Sequence, residues 1–274
     1  MVQMAKTTAR KRVILSGQSL LSQRTIQQVR ETLEGVDMRL KFRTKTNQLP
    51  ISSWLESIPL YQSWLAPAPS SKQNGSYLWL RGGAGLGKTN ASLAAIQGYG
   101  ETLLAYFLCE WTPGCNTAEE LLQSLITQIS QDEALAQHGA RWFVRNTRSR
   151  DAKDQKVHGI TEDVGASGAK ATTTVDNLWR CLQDMLDDPA VNNIHIIINN
   201  MHLLESNSST NALLAKLRGD AESFKDQAQA TQRVRWLITS RNEHHINHHL
   251  AAASISLVDL ENDQKYGAAL NTAK

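Results

Sequence analysis

The stretch from Gly82 to Thr89, with the sequence GGAGLGKT, constrains this chain more than any other feature. Its glycines let the backbone turn so that several N–H groups point into one concavity, a geometry that cradles an anion. An apolar run at 76–80 precedes the stretch, and an alanine-rich sequence with helical character at 91–96 follows it. A buried strand, a glycine loop and a helix in this order predict a phosphate-binding loop, to which the helix adds the positive end of its dipole.

The loop pattern predicts a role for each of its positions. The backbone N–H groups are predicted to contact phosphate oxygens, while Lys88 reaches the β- and γ-phosphates of a nucleotide and the Thr89 hydroxyl holds Mg²⁺. The loop residues predicted to bind the nucleotide are Gly82, Gly83, Ala84, Gly85, Leu86, Gly87, Lys88, Thr89 and Asn90. The plain alternative is a glycine-rich turn that happens to precede a lysine, but the strand and helix patterns on either side argue against it.

Strand and helix patterns alternate along the rest of the chain. Apolar runs predict strands at 76–80, 102–109, 194–198, 234–239 and 254–258, and helical spacing predicts helices at 117–131, 176–186 and 208–231. Asn116 or Thr117 is placed to cap the first of these helices. The tryptophans predicted to lie in the core are Trp54, Trp64, Trp79 and Trp236. This alternation predicts an α/β fold of the P-loop NTPase type, with a doubly wound, mostly parallel sheet and a small helical N-terminal extension.

Composition divides the chain into three predicted segments. Residues 1–45 carry ten Lys/Arg and three acids, a balance of +7, which leaves −4 for the remainder of a chain with a net charge of +3. We predict a basic N-terminal arm at 1–45, a nucleotide-binding domain at 46–258 and the start of a truncated following segment at 259–274. Within the domain, 147–175 has few large apolar side chains and is predicted to be a flexible insertion. The arm has three interpretations: a solvated lead-in to the first helix, a contact for anionic partners, or a mitochondrial presequence.

Other features exclude several classes of function. No apolar stretch is long enough to cross a bilayer, and the three cysteines have the spacing of neither a zinc site nor a disulfide framework. We therefore expect a soluble, cytoplasmic protein. Aromatic residues do not interleave with the basic arm, so no specific contact with nucleic acid is predicted. The four histidines within 244–249 have a spacing that a metal could use, but a solvated helix face is the favoured interpretation.

Six ordered stretches resemble the NACHT domain of fungal signalling nucleotidases of the STAND class, close to the nephrocystin-type N-terminal module. The matching stretches, which span roughly residues 45–258, are 54–64, 78–82, 105–109, 121–126, 194–198 and 236–241. The resemblance implies ATP or GTP as the nucleotide, a signalling role, and self-association or contact with other STAND-type signalling domains. It also implies that Arg241, together with Thr239 or Ser240, faces the γ-phosphate, a contact that suits a guanidinium group.

The end of the 194–198 stretch departs from the family pattern. The family has an aspartate there and a second acid three residues later, whereas this chain has Asn199 and His202; an alternative alignment of the two acids places Asn199 and Asn200 there. Because an amide is a weak ligand for Mg²⁺ and cannot act as a base, we predict that Asn199 still lies at the nucleotide but that hydrolysis is weak or lost. Two alternatives stay open: an active Mg²⁺-dependent NTPase that uses Glu205 or another acid, and a degenerate scaffold that binds no nucleotide.

Overall fold

The computed structural model describes residues 36–48, 53–65, 77–98, 103–143, 174–189, 191, 193–226 and 234–262, together with Gln27, Glu31 and Leu33. Most of the predicted basic arm therefore lies outside the described residues. The same holds for 147–173 of the predicted insertion and for 263–274 of the predicted following segment. Everything below concerns the described residues.

Five strands form one parallel sheet. Their bounds are Tyr77–Arg81 (β1), Leu103–Leu108 (β2), Ile194–Asn199 (β3), Val234–Ser240 (β4) and Ser256–Asp259 (β5). The order across the sheet is β2-β3-β4-β1-β5, and each neighbouring pair is parallel. The predicted α/β fold with a mostly parallel sheet is confirmed.

Helices connect the strands and cover the sheet. The α-helices are Met38–Gln48 (α1), Pro59–Leu65 (α2), Lys88–Gly98 (α3), Ala118–Ile129 (α4), Glu133–Phe143 (α5), Val175–Leu186 (α6), Ser208–Asp226 (α7) and His244–Leu250 (α8), and Ser53–Ser57 and Met201–Leu203 are 3-10 helices. The chain runs outward from β1 to β2 and then back through β3 and β4, so right-handed crossovers place α3 on one face and the later helices on the other. In agreement, α3 packs on β3 and β4, whereas α4, α6 and α7 pack against one another.

The structure has two helices that the sequence did not predict, α1 and α5. Helix α6 begins at Val175, one residue before the predicted start at 176, so the last residue of the predicted insertion at 147–175 is helical. The side chain of Thr174 accepts a hydrogen bond from Asn177 N and so fixes this start. Of the two predicted caps for α4, the structure uses Thr117, which forms a reciprocal capping box with Glu120.

The core lies on both faces of the central strands. Every residue of β3 and β4 is buried, which explains why β3 is apolar at every position except His195 and Asn199. The four tryptophans predicted for the core are all buried. A buried polar contact joins the sheet to α2, because Arg235 donates hydrogen bonds to the carbonyl oxygens of Trp64 and Leu65.

Parallel pairing brings the carboxyl ends of three strands to one edge. Arg81 of β1 pairs with Ser240 of β4, and Ile198 of β3 pairs with Ile238 of β4. The glycine loop after β1, the asparagines that end β3 and Arg241 after β4 therefore leave the sheet side by side. In open parallel sheets this edge is where ligands bind.

Candidate nucleotide-binding site

The glycine loop between β1 and α3 has the backbone that the sequence predicts. Gly85 and Gly87 have φ of 77° and 72°, in the left-handed region that glycine adopts without strain. Gly87 is followed directly by Lys88, the first residue of α3, and Ala91 N donates to Gly87 O at 2.9 Å. The first N–H groups of α3 thus stand at the loop, where a helix dipole favours an anion.

Lys88 folds back onto the loop that carries it. Its Nζ donates to Gly82 O at 2.6 Å and to Gly83 O at 2.5 Å, and the residue is only 5% exposed. Burial and the charge of Arg241 lower the pKa of Lys88 to about 8, although the charge of Glu261 partly opposes them. A phosphate group would supply the negative charge that this buried ammonium lacks.

Hydrogen bonds join the end of β3 to β4 and, through Asn200, to Thr89. Thr239 Oγ1 donates to Asn199 Oδ1 at 3.0 Å and accepts from Asn200 N at 2.9 Å, while Asn200 Nδ2 donates to Thr89 Oγ1 at 3.3 Å. Asn200 has φ 57° and ψ 44°, a left-handed conformation that asparagine tolerates better than most residues. The side-chain amide of Asn200 thus donates a hydrogen bond to the Thr89 hydroxyl, the group that the sequence predicts to hold Mg²⁺.

The side chains of Asn199, Asn200 and Thr89 do not together form a metal site. Asn199 is fully buried, its Oδ1 is engaged by Thr239, and its Nδ2 has no hydrogen-bond partner among the described residues. A buried N–H donor suits an acceptor such as a phosphate oxygen and repels a cation. No carboxylate among the described residues is hydrogen-bonded to Thr89. Of the groups at the end of β3 and the start of α3, the Thr89 hydroxyl has the oxygen chemistry that Mg²⁺ requires.

His202, after β3, and Arg241, after β4, are hydrogen-bonded to each other. Arg241 N donates to His202 Nδ1 at 3.3 Å. Burial, together with the charges of Arg241 and Lys88, lowers the pKa of His202 to about 4. The same two cations also affect each other, because Arg241 lowers the pKa of Lys88. The structure therefore brings Lys88, His202 and Arg241 within electrostatic reach of one another, although they come from three separate elements.

Glu205 is engaged in a neighbouring loop. Its N–H donates to Asn116 O at 2.7 Å, and its carboxylate accepts from Asn116 Nδ2 at 3.0 Å and from Asn207 Nδ2 at 3.3 Å. These bonds join the segment after β3 to the start of α4. Because its carboxylate is committed there, the structure gives Glu205 no hydrogen bond to Lys88 or Thr89.

Sequence reasoning missed one acidic side chain at the glycine loop. The turn after β5 places Leu260 against Gly82 and Glu261 against Gly83: a Cβ built on Gly83 would lie 2.6 Å from Glu261 Oε1. Asp259 anchors this turn through an ion pair with Arg81 at 2.5 Å and accepts a hydrogen bond from Glu261 N. Burial raises the pKa of Asp259, but the hydrogen bond from Arg81 prevails and lowers it to about 2. The sequence carries no motif that could have revealed this contact.

Two further expectations can be compared with the described residues. Among them no three His, Cys, Asp or Glu side chains cluster in a way that could hold a metal ion, and in α8 His244 and His248 are exposed while Ile246 and Leu250 are buried. This pattern agrees with the predicted solvated face of α8. None of the described helices combines the length and the apolar composition needed to cross a membrane.

A glycine loop between a strand and a helix of an open parallel sheet defines this chain as an α/β protein of the P-loop class. The family model described as "Nephrocystin 3, N-terminal" matches residues 51–241, well over half of the 274 residues, so the chain belongs to this family. The match includes the glycine loop, both asparagines at the end of β3 and Arg241.

Comparison with individual proteins adds little. No curated protein matches this chain significantly. Among solved structures, the Walker-type ATPase paby2304 of Pyrococcus abyssi is similar with 14% identity over 73% of this chain and a TM-score of 0.35. The chain covers 53% of that structure, about half its length.

Proposed function

We propose that this chain is a nucleotide-binding switch module that binds ATP or GTP and hydrolyses it slowly or not at all. The observation that supports it best is the convergence of Lys88, His202 and Arg241 on the glycine loop. A γ-phosphate contacted by groups from separate elements stabilises one arrangement of those elements over others. The residues proposed to bind the nucleotide remain 82–90, with Asn199 and Arg241.

The weak hydrolysis follows from the groups at the end of β3. Attack by water needs a base or a polarising acid, and the loss of one preorganised electrostatic group costs about 10²–10³ in rate. Asn199 and Asn200 offer amides, and Glu205 is hydrogen-bonded to Asn116 and Asn207. Mg²⁺, when bound with the nucleotide, would be held by the Thr89 hydroxyl and would offset the negative charge of the phosphates. The chain's own residues would bind and orient the phosphates.

We also propose where this protein acts, what it contacts and how its domain is bounded. A switch of the NACHT type acts in the cytoplasm by self-association or by contact with other signalling domains of the STAND class, and we propose both for this chain. We assign the nucleotide-binding domain to 46–258, with 1–45 as a basic arm, 147–173 as an insertion within the domain and 259–274 as the start of the following segment. The extra helices α1 and α2 are the proposed helical extension.

Calorimetric titration of the purified chain with ATP and with GTP tests the proposal, in Mg²⁺ and in EDTA. We expect saturable binding that Lys88→Ala weakens by about ten- to a hundred-fold, the loss of a hydrogen bond to a charged group. The matched control is Lys216→Ala, because Lys216 makes a surface ion pair with Asp176 at 2.6 Å on the helical face of the molecule. A folded wild type that binds neither nucleotide would overturn the proposal and favour a scaffold.

A further inference from the structure

We infer that His202 is a ligand of the terminal phosphate and that it makes the site prefer a nucleoside triphosphate over a diphosphate. This role rests on the proposed function, because it needs a nucleotide in the glycine loop. It assigns a phosphate-binding residue to the position where the related pattern has an acid.

The hydrogen bonding of His202 fixes which of its nitrogens can donate. Nδ1 accepts the N–H of Arg241 at 3.3 Å, so the proton of the neutral ring is on Nε2. The 3-10 helix Met201–Leu203 holds the ring directly after β3, and the half-buried side chain cannot leave without breaking this contact. His202 therefore presents an N–H donor at the edge of the sheet where the loop opens.

The charges around His202 favour an anion as its partner. Lys88 faces it from α3, Arg241 faces it from the loop after β4, and Glu261 faces Lys88 from the turn after β5. Two cations and one carboxylate leave a net positive site around a neutral imidazole. An acid at this position would need a cation between itself and the phosphate, whereas an imidazole N–H can contact a phosphate oxygen directly.

This arrangement also predicts that triphosphate binding is coupled to a proton. In the empty site the neighbouring cations and burial keep His202 neutral, with its pKa at about 4. An anionic phosphate in contact with the ring would return the pKa at least to its ordinary value of about 6.5. A group whose pKa rises on binding takes up a proton. For His202 this proton goes to Nδ1, which then no longer accepts the N–H of Arg241, and affinity increases as the pH falls. With these values the contribution of His202 grows by about fourfold between pH 8 and pH 6.

The test compares the affinities of the full chain for ATP and for ADP, in EDTA, for the wild type and His202→Gln. Glutamine keeps a polar group of similar length but cannot take up a proton. We expect the variant to lose about tenfold in ATP affinity and less than twofold in ADP affinity. The ratio of wild-type to variant ATP affinity should rise about fourfold from pH 8 to pH 6, and taking this ratio cancels the protonation of ATP itself.

The control and the contradicting results separate this role from the proposed function. His138→Asn removes another half-buried histidine. His138 lies in α5, its Nε2 is 2.6 Å from Asp188 Oδ2, and its loss should leave both affinities unchanged. Equal losses for ATP and ADP, or a ratio that is flat with pH, would overturn the role of His202 while nucleotide binding stands. If the wild type binds no nucleotide, both the proposed function and the role of His202 are overturned.

Discussion

Asn199→Asp places a carboxylate where Asn199 is fully buried, and it tests the electrostatic description of the site. Burial raises the pKa of a carboxyl by up to about 3–5, and the hydrogen bond that Thr239 donates at 3.0 Å offsets part of this rise. A remaining rise of about 2 corresponds to about 3 kcal/mol of lost stability at pH 8.

The sign of the pH dependence follows from the direction of that rise. Because the folded-state pKa of the new carboxyl lies above its unfolded value of about 3.9, the unfolded state ionises more readily at high pH. The variant should therefore be least stable above the raised pKa and should recover wild-type stability as the pH falls below about 4. Urea unfolding followed by tryptophan fluorescence at several pH values, without nucleotide, measures the difference.

Asn211→Asp is the matched control for the same chemical change. Asn211 is exposed near the start of α7, where a carboxylate stays hydrated and the helix dipole tolerates a negative charge. Its stability should stay within about 0.5 kcal/mol of the wild type at every pH. Wild-type stability of Asn199→Asp at pH 8, or a loss that is the same at every pH, would refute the claim that burial of this side chain outweighs the Thr239 hydrogen bond and the nearby positive charges of Lys88 and Arg241.

Two further variants test other parts of the structure. Glu261→Gln removes the negative charge beside Gly83, so ATP affinity should rise about two- to fivefold at low salt and less at high salt; an unchanged or weaker affinity would show that Glu261 does not face the phosphates. Thr117→Ala breaks the capping box of α4 with Glu120 and should lower the free energy of unfolding by about 1 kcal/mol, measured by urea unfolding; no loss would mean that the cap does not form.

Local patterns made much of the fold predictable. The apolar run of β3 and the strand, loop and helix at 77–98 are each one continuous stretch of the chain, so the sequence shows them directly. Helix α1 has one buried residue, Met38, and its other apolar residues are Leu40 and Phe42, so it has too little apolar periodicity to be recognised. The apolar spacing of α6 made that helix predictable to within one residue of its start at Val175.

The contacts of the site were less predictable, because they depend on strand order. The link from Thr239 to Asn199 exists because β4 lies between β1 and β3, an order that the sequence does not reveal. Asn200 and Thr89 are 111 residues apart, and their hydrogen bond depends on the same arrangement. The contact of Glu261 with Gly83 requires β5 to lie beside β1, so no local pattern could have predicted it.

The most direct test of the central claim is the ATP affinity of the wild-type chain in Mg²⁺ and in EDTA. The claim is that Lys88, His202 and Arg241 hold the phosphates, while the amides of Asn199 and Asn200 provide no metal site. We therefore expect the two dissociation constants to agree within about fivefold, since the protein contributes a single hydroxyl to Mg²⁺. A loss of about a hundredfold or more in EDTA would contradict the claim and show that the protein holds the metal after all.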